Sequence, residues 1–373
     1  MKFICSNEKL QDALKKVTRA IAVHAVNPIL EGILLNTDAE TECLELTCTD
    51  ERITIVVRIE AKIEEYGAGV VPGKLFSDFI SKLDSSMTSE IIMNSRFMFA
   101  IRSGNARMNI TGNDAALFPH IMEINARESV NLPQKVLKEM LEKTEFAVAR
   151  DDVREMLTGS YIEIKNGRLN IVGLDGYRMA LRSGIAPFVN NDVSAIIPGK
   201  AVGDIIKLLS DSDEDMVSLF FDNNKLKLYN RESEIYIVLL DGNYIDYKRI
   251  IPTSFKTEIC LNVENLRRCI DRVALIARAE KGNLVIFRIS EDAVILEAHS
   301  QIGDVDEEII PESFKGEPIN IAFNVSYISD MARYIDGESL NMCFNTQISP
   351  CIARPVDDDD YIHLILPVRT GNL

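Results

Sequence analysis

The sequence predicts an α+β protein made of three tandem copies of one domain, each with two helices packed on antiparallel sheets. One amphipathic helix pattern returns at a constant interval, at Val71–Leu83, Ile197–Leu209 and Phe323–Ile335. Pro72, Pro198 and Asn324 within it are each 126 residues apart. The 373 residues allow two or three domains at roughly 100–200 residues each. The repeat selects three, and we predict domains over 1–126, 127–252 and 253–373.

The first third alternates one helix, several strands, a second helix and more strands. Leu10, Leu14 and Val17 recur at helical spacing and predict a helix over Leu10–Ala22. The turn Pro72-Gly73 precedes the apolar face of the Val71–Leu83 helix. Segments that alternate apolar and polar residues predict strands at Met1–Ile4, Gly32–Asn36, Leu44–Thr49, Thr54–Ile59, Ser89–Asn94, Phe97–Arg102 and Ala106–Thr111.

The other two thirds repeat this order. Their first helices are predicted at Val136–Val148 and Val263–Ala277. Alternation and turn residues, such as Asp222-Asn223-Asn224, predict strands at Gly159–Lys165, Leu169–Gly173, Arg178–Ser183, Val217–Asp222, Lys225–Asn230, Ile235–Leu240, Asn283–Ile289, Ala293–Ala298, Leu340–Phe344 and Tyr361–Pro367. Helices that stay on one face of antiparallel sheets are typical of an α+β layer design.

The charge of the chain is unevenly distributed. The net charge is −16, which alone argues against nucleic-acid binding. The six predicted helices nevertheless carry 16 basic and 8 acidic residues, counted over Leu10–Ala22, Val71–Leu83, Lys135–Arg150, Ile197–Leu209, Asn265–Arg278 and Phe323–Ile335. One interpretation is that these are ordinary solvated helix faces. The other is that the helices share a surface that meets DNA phosphates without sequence readout.

Several classes of site have no support in the sequence. The seven cysteines lack Cys-x-x-Cys spacing, which favours reduced thiols in a cytoplasmic protein. The sequence has no P-loop, dinucleotide fingerprint or nucleophile elbow, and its four histidines lie far apart. We interpret the acidic run Asp357–Asp360 as a solvated loop. The sequence therefore predicts no catalytic residues, no metal and no cofactor, and neither a signal peptide nor a membrane span.

Motifs in all three thirds resemble the bacterial sliding clamps, the beta subunits of DNA polymerase III. They occur in the family's order, at Met1-Lys2-Phe3, Asn27–Leu30, the Val-Pro-Gly-Lys helix, Leu174–Ala180, Asp241–Arg249, Phe323–Tyr327 and Leu366–Arg369. The resemblance implies that two protomers close head to tail into a ring, so that each forms half of it. Helices line the hole, and the ring encircles duplex DNA and tethers the replicative polymerase.

The family's partner site is an apolar cleft between the second and third domains. It accepts short peptide motifs from the polymerase catalytic subunit, other polymerases, the clamp loader and repair proteins. Tyr177 stands where His is common in the family, and Ile245 where Pro is frequent. The resemblance places the following residues at this cleft: Leu157, Leu174, Gly176, Tyr177, Arg178, Met179, Ile245, Arg249, Ile250, Asn324, Tyr327, Ile348, Leu364, Leu366, Pro367, Val368 and Arg369.

The resemblance also implies a dimer interface and a DNA-facing surface. The interface would join Arg102, Arg107, Met108 and Ile110 of one protomer to Leu275, Ile276, Asp304 and Glu308 of its partner. His24 lies at a loop position that is basic in many clamps. The candidates for DNA contact are Lys9, Lys15, Lys16, Arg19, Lys74, Lys138, Arg154, Lys200, Lys207, Arg267 and Arg272.

Three functional hypotheses follow. The first is a non-enzymatic sliding clamp, a homodimer that binds duplex DNA without sequence specificity. The second is a three-domain protein-interaction scaffold that never meets DNA, and the basic helices distinguish these two. An enzyme comes third, because no arrangement of catalytic residues is visible.

Overall fold

A computed structural model describes residues 1–37, 42–121, 124, 129–151, 153–186 and 192–370. By their contacts, the residues form two compact units. One comprises Met1–Lys135 with Lys207–Leu239, and the other comprises Val136–Ile206 with Leu240–Leu373. The predicted domain boundary near Ala126 lies outside the described residues.

The first copy contains ten strands and two helices among the described residues. The helices are α1 (Asn7–Val17), which a 3-10 turn extends to Ala20, and α2 (Gly73–Ile80). The strands are β1 (Lys2–Ser6), β2 (Gly32–Thr37), β3 (Cys43–Thr49), β4 (Ile53–Glu60), β5 (Lys62–Glu65), β6 (Gly67–Pro72), β7 (Thr88–Met93), β8 (Met98–Ser103), β9 (Ala106–Thr111) and β10 (Asn113–Asp114).

The second copy follows the same plan. Its helices are α3 (Gln134–Glu145) and α4 (Gly199–Leu208). Its strands are β11 (Ser129–Pro133), β12 (Gly159–Lys165), β13 (Arg168–Leu174), β14 (Arg178–Ile185), β15 (Val193–Pro198), β16 (Met216–Asp222), β17 (Lys225–Tyr229) and β18 (Ser233–Val238).

The third copy completes the chain. Its helices are α5 (Val263–Ala277) and α6 (Val325–Tyr334). Its strands are β19 (Thr257–Asn262), β20 (Leu284–Ile289), β21 (Val294–Ser300), β22 (Gly303–Ile309), β23 (Ser313–Gly316), β24 (Ile319–Asn324), β25 (Ser339–Phe344), β26 (Cys351–Pro355) and β27 (Tyr361–Ile365).

The described strands form four sheets with antiparallel pairing throughout, and two of the sheets join neighbouring copies. One nine-stranded sheet joins the first copy to the second, because β4 pairs with β18. Its strand order is β10-β6-β2-β3-β4-β18-β17-β16-β11. The other joins the second copy to the third, because β14 pairs with β27. Its strand order is β15-β12-β13-β14-β27-β26-β25-β19-β23. The remaining sheets are β5-β1-β7-β8-β9 and β22-β21-β20-β24. One end strand of each, β9 in the first and β22 in the second, has no further strand partner among the described residues.

Each sheet supports amphipathic helices whose apolar faces are buried. Leu10, Leu14 and Val17 of α1 are at most 2% exposed, and α1 packs on β3 and β4. In the third copy, Leu266, Ile270 and Val273 of α5 pack in the same way over β21 and β22. These burial patterns confirm the α+β prediction.

In the first and third copies, a side chain of the first helix caps the second. The Gln11 amide of α1 donates to the carbonyls of Ile80 and Leu83 at the end of α2, both at 2.9 Å. The Arg267 guanidinium of α5 donates to the carbonyls of Ala332 and Ile335 at the end of α6. Because the last carbonyls of a helix have no internal partner, these contacts fix the angle within each helix pair.

The structure corrects the predicted starts of the repeated helices. Val71-Pro72, Ile197-Pro198 and Phe323-Asn324 end strands β6, β15 and β24, and each helix begins at the next residue. Pattern reading also missed β5, β6, β10, β11, β15, β19, β22, β23, β24 and β26. Helix α5 has the predicted bounds.

Two further expectations were tested. The seven cysteines are free thiols, five of them buried, as predicted. Asp357–Asp360 is a largely exposed turn, in agreement with its interpretation as a solvated loop, and within it Asp358 pairs with Arg182 at 2.5 Å and Asp360 pairs with Arg168. Within the described residues, no helix has the length and apolar character needed to cross a bilayer.

Candidate functional site

An apolar cleft of about 380 Å³ lies where strands of the second and third copies meet. Leu174, Met179 and Leu364 form its floor and are at most 3% exposed. They belong to a buried cluster that also contains Leu157 and Tyr247. The full lining is Arg154, Leu174, Gly176, Tyr177, Arg178, Met179, Ile245, Ile250, Pro350, Leu364 and Leu366.

The tight turn between β13 and β14 forms one wall. The Asp175 carboxylate accepts the backbone N–H groups of Tyr177 and Arg178, both at 2.9 Å. Gly176 has φ +88°, a conformation that costs other residues strain, and a Cβ there would lie 3.0 Å from the Arg154 guanidinium. The turn therefore leaves the Tyr177 ring 63% exposed at the rim.

Arg178 connects the two copies beneath this rim. Its Nε donates to Asp175 at 3.0 Å, its Nη1 to Asp330 of α6 at 2.6 Å, and its Nη2 to the carbonyl of Phe146 at 2.7 Å. Its guanidinium also lies 4.6 Å from the centre of the Tyr327 ring. The resemblance places Arg178 at the cleft, and these contacts show that it holds the cleft walls together.

Helix α6 and the segment after β27 form the opposite side. The Asn324 side chain accepts the Ser326 N–H at 2.9 Å and so caps α6. The Tyr327 ring stacks on Tyr177 at 6.5 Å, and burial raises the pKa of Tyr327. The Leu366 N–H donates to the carbonyl of Tyr177 at 2.8 Å. The rim is therefore held by main-chain as well as ring contacts.

The other predicted cleft residues lie around this core. Leu157 is fully buried in the cluster beneath the cleft and is not part of the cleft lining. Arg249 is 86% exposed and pairs with Asp246 at 2.8 Å. Ile348 is exposed, and Pro367, Val368 and Arg369 continue from Leu366. Pro350 and Arg154 line the cleft without having been assigned to it. Arg154 was predicted to contact DNA, and nothing in the sequence context of Pro350 singled it out.

His363 of β27 is buried behind the cleft. It packs against the rings of Tyr361 and Phe146. Burial lowers its pKa to about 3, and the nearby charges of Arg178 and Lys143 act in the same direction. The imidazole is therefore neutral at physiological pH, and it contributes packing to the site.

A second cavity, of about 440 Å³, lies beside the start of α2 in the first copy. Its lining includes Pro28, Ile29, Val70 and Leu75, with Asp78 at one side. Ile29 and Val70 belong to a small buried cluster, whereas Leu75 is 54% exposed. We call this cavity the first-copy groove.

Comparisons with known proteins agree with this architecture. Family models for the DNA polymerase III beta subunit match at residues 1–122 (N-terminal domain), 131–246 (central domain) and 248–369 (C-terminal domain). The chain belongs to the DNA polymerase III beta subunit family.

Similar proteins cover nearly the whole chain. The beta sliding clamps of Staphylococcus epidermidis and Bacillus subtilis are 31% and 30% identical, over 99% of this chain and 100% of theirs. The crystal structure of the Bacillus subtilis DNA polymerase sliding clamp matches with a TM-score of 0.95 at 29% identity, over 99% of each chain. A DNA polymerase III beta chain from Streptococcus pneumoniae matches with a TM-score of 0.94 at 28% identity, over 99% and 100%.

The beta subunit is the sliding clamp of DNA polymerase III and has no catalytic activity of its own. The family matches span all three copies and support the clamp hypothesis over a scaffold that never meets DNA. Within the described residues, no cluster of His, Cys, Asp or Glu has the geometry of a metal site.

Several of the basic residues predicted to meet DNA already have partners within this beta-subunit chain. Lys9, Lys15 and Lys16 pair with Glu60, Asp12 and Glu232, all on exposed surfaces. Arg272 pairs with Glu307, and Arg267 caps α6. Arg154 lines the cleft. Five further candidates lie exposed or half-buried on or beside the helices: Arg19, Lys74, Lys138, Lys200 and Lys207.

The residues assigned to the dimer interface lie on β8, β9, α5 and β22. Arg102 and Arg107 are exposed, and Met108 is half-buried. Ile110 is only 6% exposed and faces the interior of its own copy, so it is not available on the surface of this chain. Leu275 is 73% exposed, Ile276 packs partly against the core, and Asp304 and Glu308 are exposed on one face of β22.

Proposed function

We propose that two copies of this chain close head to tail into a ring around duplex DNA and tether the replicative polymerase to it, in the cytoplasm. The cleft is proposed to dock short peptide segments of the polymerase, the clamp loader and repair proteins. The domain limits 1–126, 127–252 and 253–373 remain part of this proposal.

The sheet topology is the main support for ring closure. The two nine-stranded sheets arise where a strand at the end of one copy pairs with a strand of the copy before it, β18 with β4 and β27 with β14. The five-stranded and four-stranded sheets end in the corresponding strands, β9 and β22. Pairing β9 with β22 of a second protomer would complete a third sheet of the same kind and cover both edges.

Charge on the two edge strands favours this pairing. The outer face of β9 carries Arg107, and neighbouring β8 carries Arg102. The outer face of β22 carries Asp304, Asp306 and Glu308. Such exposed pairs add little energy each, but their opposite signs select the β9–β22 combination over β9–β9 or β22–β22.

The helix charges support contact with phosphates. Lys74 and Lys200 are exposed in the first turns of α2 and α4, and Lys207 is exposed in the last turn of α4. Basic side chains without a base-reading element give sequence-independent binding that weakens steeply with salt. A closed ring needs only such weak contacts, because it stays on the DNA by encircling it and does not depend on a high affinity for DNA.

The cleft supports peptide docking. Its floor is apolar and preformed, and aliphatic or aromatic anchors in such pockets dominate peptide affinity. Leu366, Ile245 and Ile250 add apolar surface at its side and remain partly exposed to an incoming ligand.

Retention on DNA tests the topological mechanism. The chain is loaded by a clamp loader onto a nicked circular duplex, and the bound fraction is measured before and after a restriction enzyme linearises the circle. We expect a stable bound fraction on the circle and rapid loss once the ends are free. Equal retention on both forms would contradict encirclement and indicate binding by contacts alone.

A further inference from the structure

A similar turn occurs in all three copies. It precedes β4, β14 and β22, the strands that pair, or are proposed to pair, with a neighbouring copy. In the second copy, the turn before β14 ends in Tyr177, whose backbone N–H the Asp175 side chain accepts. In the first copy, Asp50 accepts the N–H of Arg52, just before β4. In the third copy, the Ser300 hydroxyl accepts the N–H of Ile302, just before β22. Ile302 therefore occupies the position of Tyr177.

The start of the second helix repeats as well. Tyr327 is the third residue of α6, and Leu75 is the third residue of α2. Within this chain, Tyr177 of one copy stacks on Tyr327 of the next copy. By the same relation, a turn of another copy would cover Leu75, and its 54% exposure shows that no copy among the described residues does so.

Both unmatched positions carry exposed apolar side chains. Ile302 is 75% exposed and Leu75 is 54% exposed, which is unfavourable for isolated aliphatic groups of this size. Leu75 stands at the edge of the first-copy groove, whose floor contains Ile29 and Val70. Ile302 directly precedes β22, so it is continuous with the edge proposed to pair with β9.

We infer that Ile302 of a second copy of this chain enters the first-copy groove and packs against Leu75. The contact rests on the proposed ring, and it adds an apolar anchor to an interface otherwise described by strand pairing and charge. It also makes the groove a site that is complete only when the partner subunit supplies the turn between β21 and β22.

The dissociation constant of the dimer tests this contact, measured by sedimentation equilibrium over a dilution series. Ile302→Glu is expected to weaken the dimer about tenfold or more, because a carboxylate would be buried against Leu75. Leu75→Lys should weaken it as well. Combining Ile302→Glu with Leu75→Lys should recover much of the loss, since the new charges attract. Ile185→Glu, at a site 86% exposed and outside both elements, is the matched control and should leave the constant unchanged.

The outcomes separate this contact from the ring itself. Leu275→Glu should yield monomers if the ring interface is correct. Should Leu275→Glu dissociate the dimer while Ile302→Glu does not, the ring stands and the groove contact is refuted. Additive losses in the double variant would refute the pairing of the two residues. A wild-type chain that is monomeric at micromolar concentration would overturn the ring and this contact together.

Discussion

Helices α6 and α2 occupy equivalent places in the third and first copies, but their surroundings differ. At α6, the preceding copy supplies Tyr177 to stack on Tyr327 and Arg178 to bind Asp330. At α2, the corresponding Leu75 is exposed, and Asp78 has no ion pair among the described residues. The comparison teaches that the same helix start forms a closed wall where the preceding copy packs against it, and an open groove in the first copy, where Leu75 stays exposed.

The largest expected difference between the cleft beside α6 and the first-copy groove beside α2 concerns peptide binding. Leu366→Lys places a charge beside the apolar floor of the cleft and should weaken binding of a peptide from the polymerase tail by about 100-fold. Leu75→Lys is the matched change in the first-copy groove and should leave that affinity unchanged. Fluorescence anisotropy with a labelled peptide measures both. Equal loss in the two variants would mean that the grooves share one ligand. Met179 is a poorer probe because it is 1% exposed, so Lys there would disrupt folding as well.

The next effect concerns the covered and uncovered strand edges. His363 of β27, on a strand covered by β14, is buried, whereas edge strand β9 carries exposed side chains such as Asn109. Because the pKa of His363 falls from 6.5 to about 3 on folding, the unfolded chain takes up its proton first. Stability should therefore be intact above pH 6.5 and decrease as the pH falls, by about 2 kcal/mol at pH 5.

The control for this prediction is His363→Phe, which keeps an aromatic ring and removes the titration. Urea unfolding at pH 7 and pH 5 should show a smaller loss of stability in the variant than in the wild-type chain. An identical pH dependence in both would assign the acid sensitivity to other groups.

The smallest effect separates Asp330 from Asp78, which are the sixth residues of α6 and α2. Asp330→Ala removes the partner of the Arg178 Nη1 group and should lower the free energy of unfolding by about 1.5 kcal/mol, less than for a fully buried pair because Asp330 is 30% exposed. Asp78→Ala should change it by less than about 0.5 kcal/mol. Thermal or urea unfolding of the isolated chain checks both values. A comparable loss for Asp78→Ala would reveal a structural role for that carboxylate within its own copy.

Much of the fold was predictable because the helices and alternating strands repeat at one interval. Helix α5 matches its prediction at both ends, since its apolar spacing coincides with an Asn262 cap. The starts of α2, α4 and α6 were mistaken because Val71-Pro72 and its equivalents have the apolar character of a helix start. Their backbone pairs in a sheet instead, where Val71 faces Ile33 of β2. Such pairing is a long-range property that local pattern does not carry.

The third copy has Asn324-Val325 where the first two copies have Pro-Gly, and the structure gives a steric reason that the sequence does not show. A Cβ at Gly73 would lie 2.9 Å from the carbonyl of Glu31, and one at Gly199 equally close to that of Thr158. In the third copy, the corresponding carbonyl belongs to Asn283 and accepts the N–H of Val325 at 2.7 Å. This arrangement leaves space for the buried Val325 side chain.

The candidate site was predictable only in part. The cleft residues came from a family resemblance, and the structure brings Leu174, Tyr177, Met179 and Leu366 together around one cavity. The role of Arg178 was not predictable, because its partners Asp330 and Phe146 are distant in sequence. The sequence of a motif does not indicate whether its arginine contacts a ligand or a neighbouring helix.

The pairing of β4 with β18 and of β14 with β27 determines how these junctions depend on protein concentration. Both junctions connect parts of one polypeptide, so each strand meets its partner at the high effective concentration that a covalent linker imposes. A junction between β9 and β22 of separate chains has no such linker, and its occupancy follows mass action. In a ring closed in this way, the abundance of the protein would set the fraction of chains that are in closed rings, whereas the four internal junctions would not depend on it.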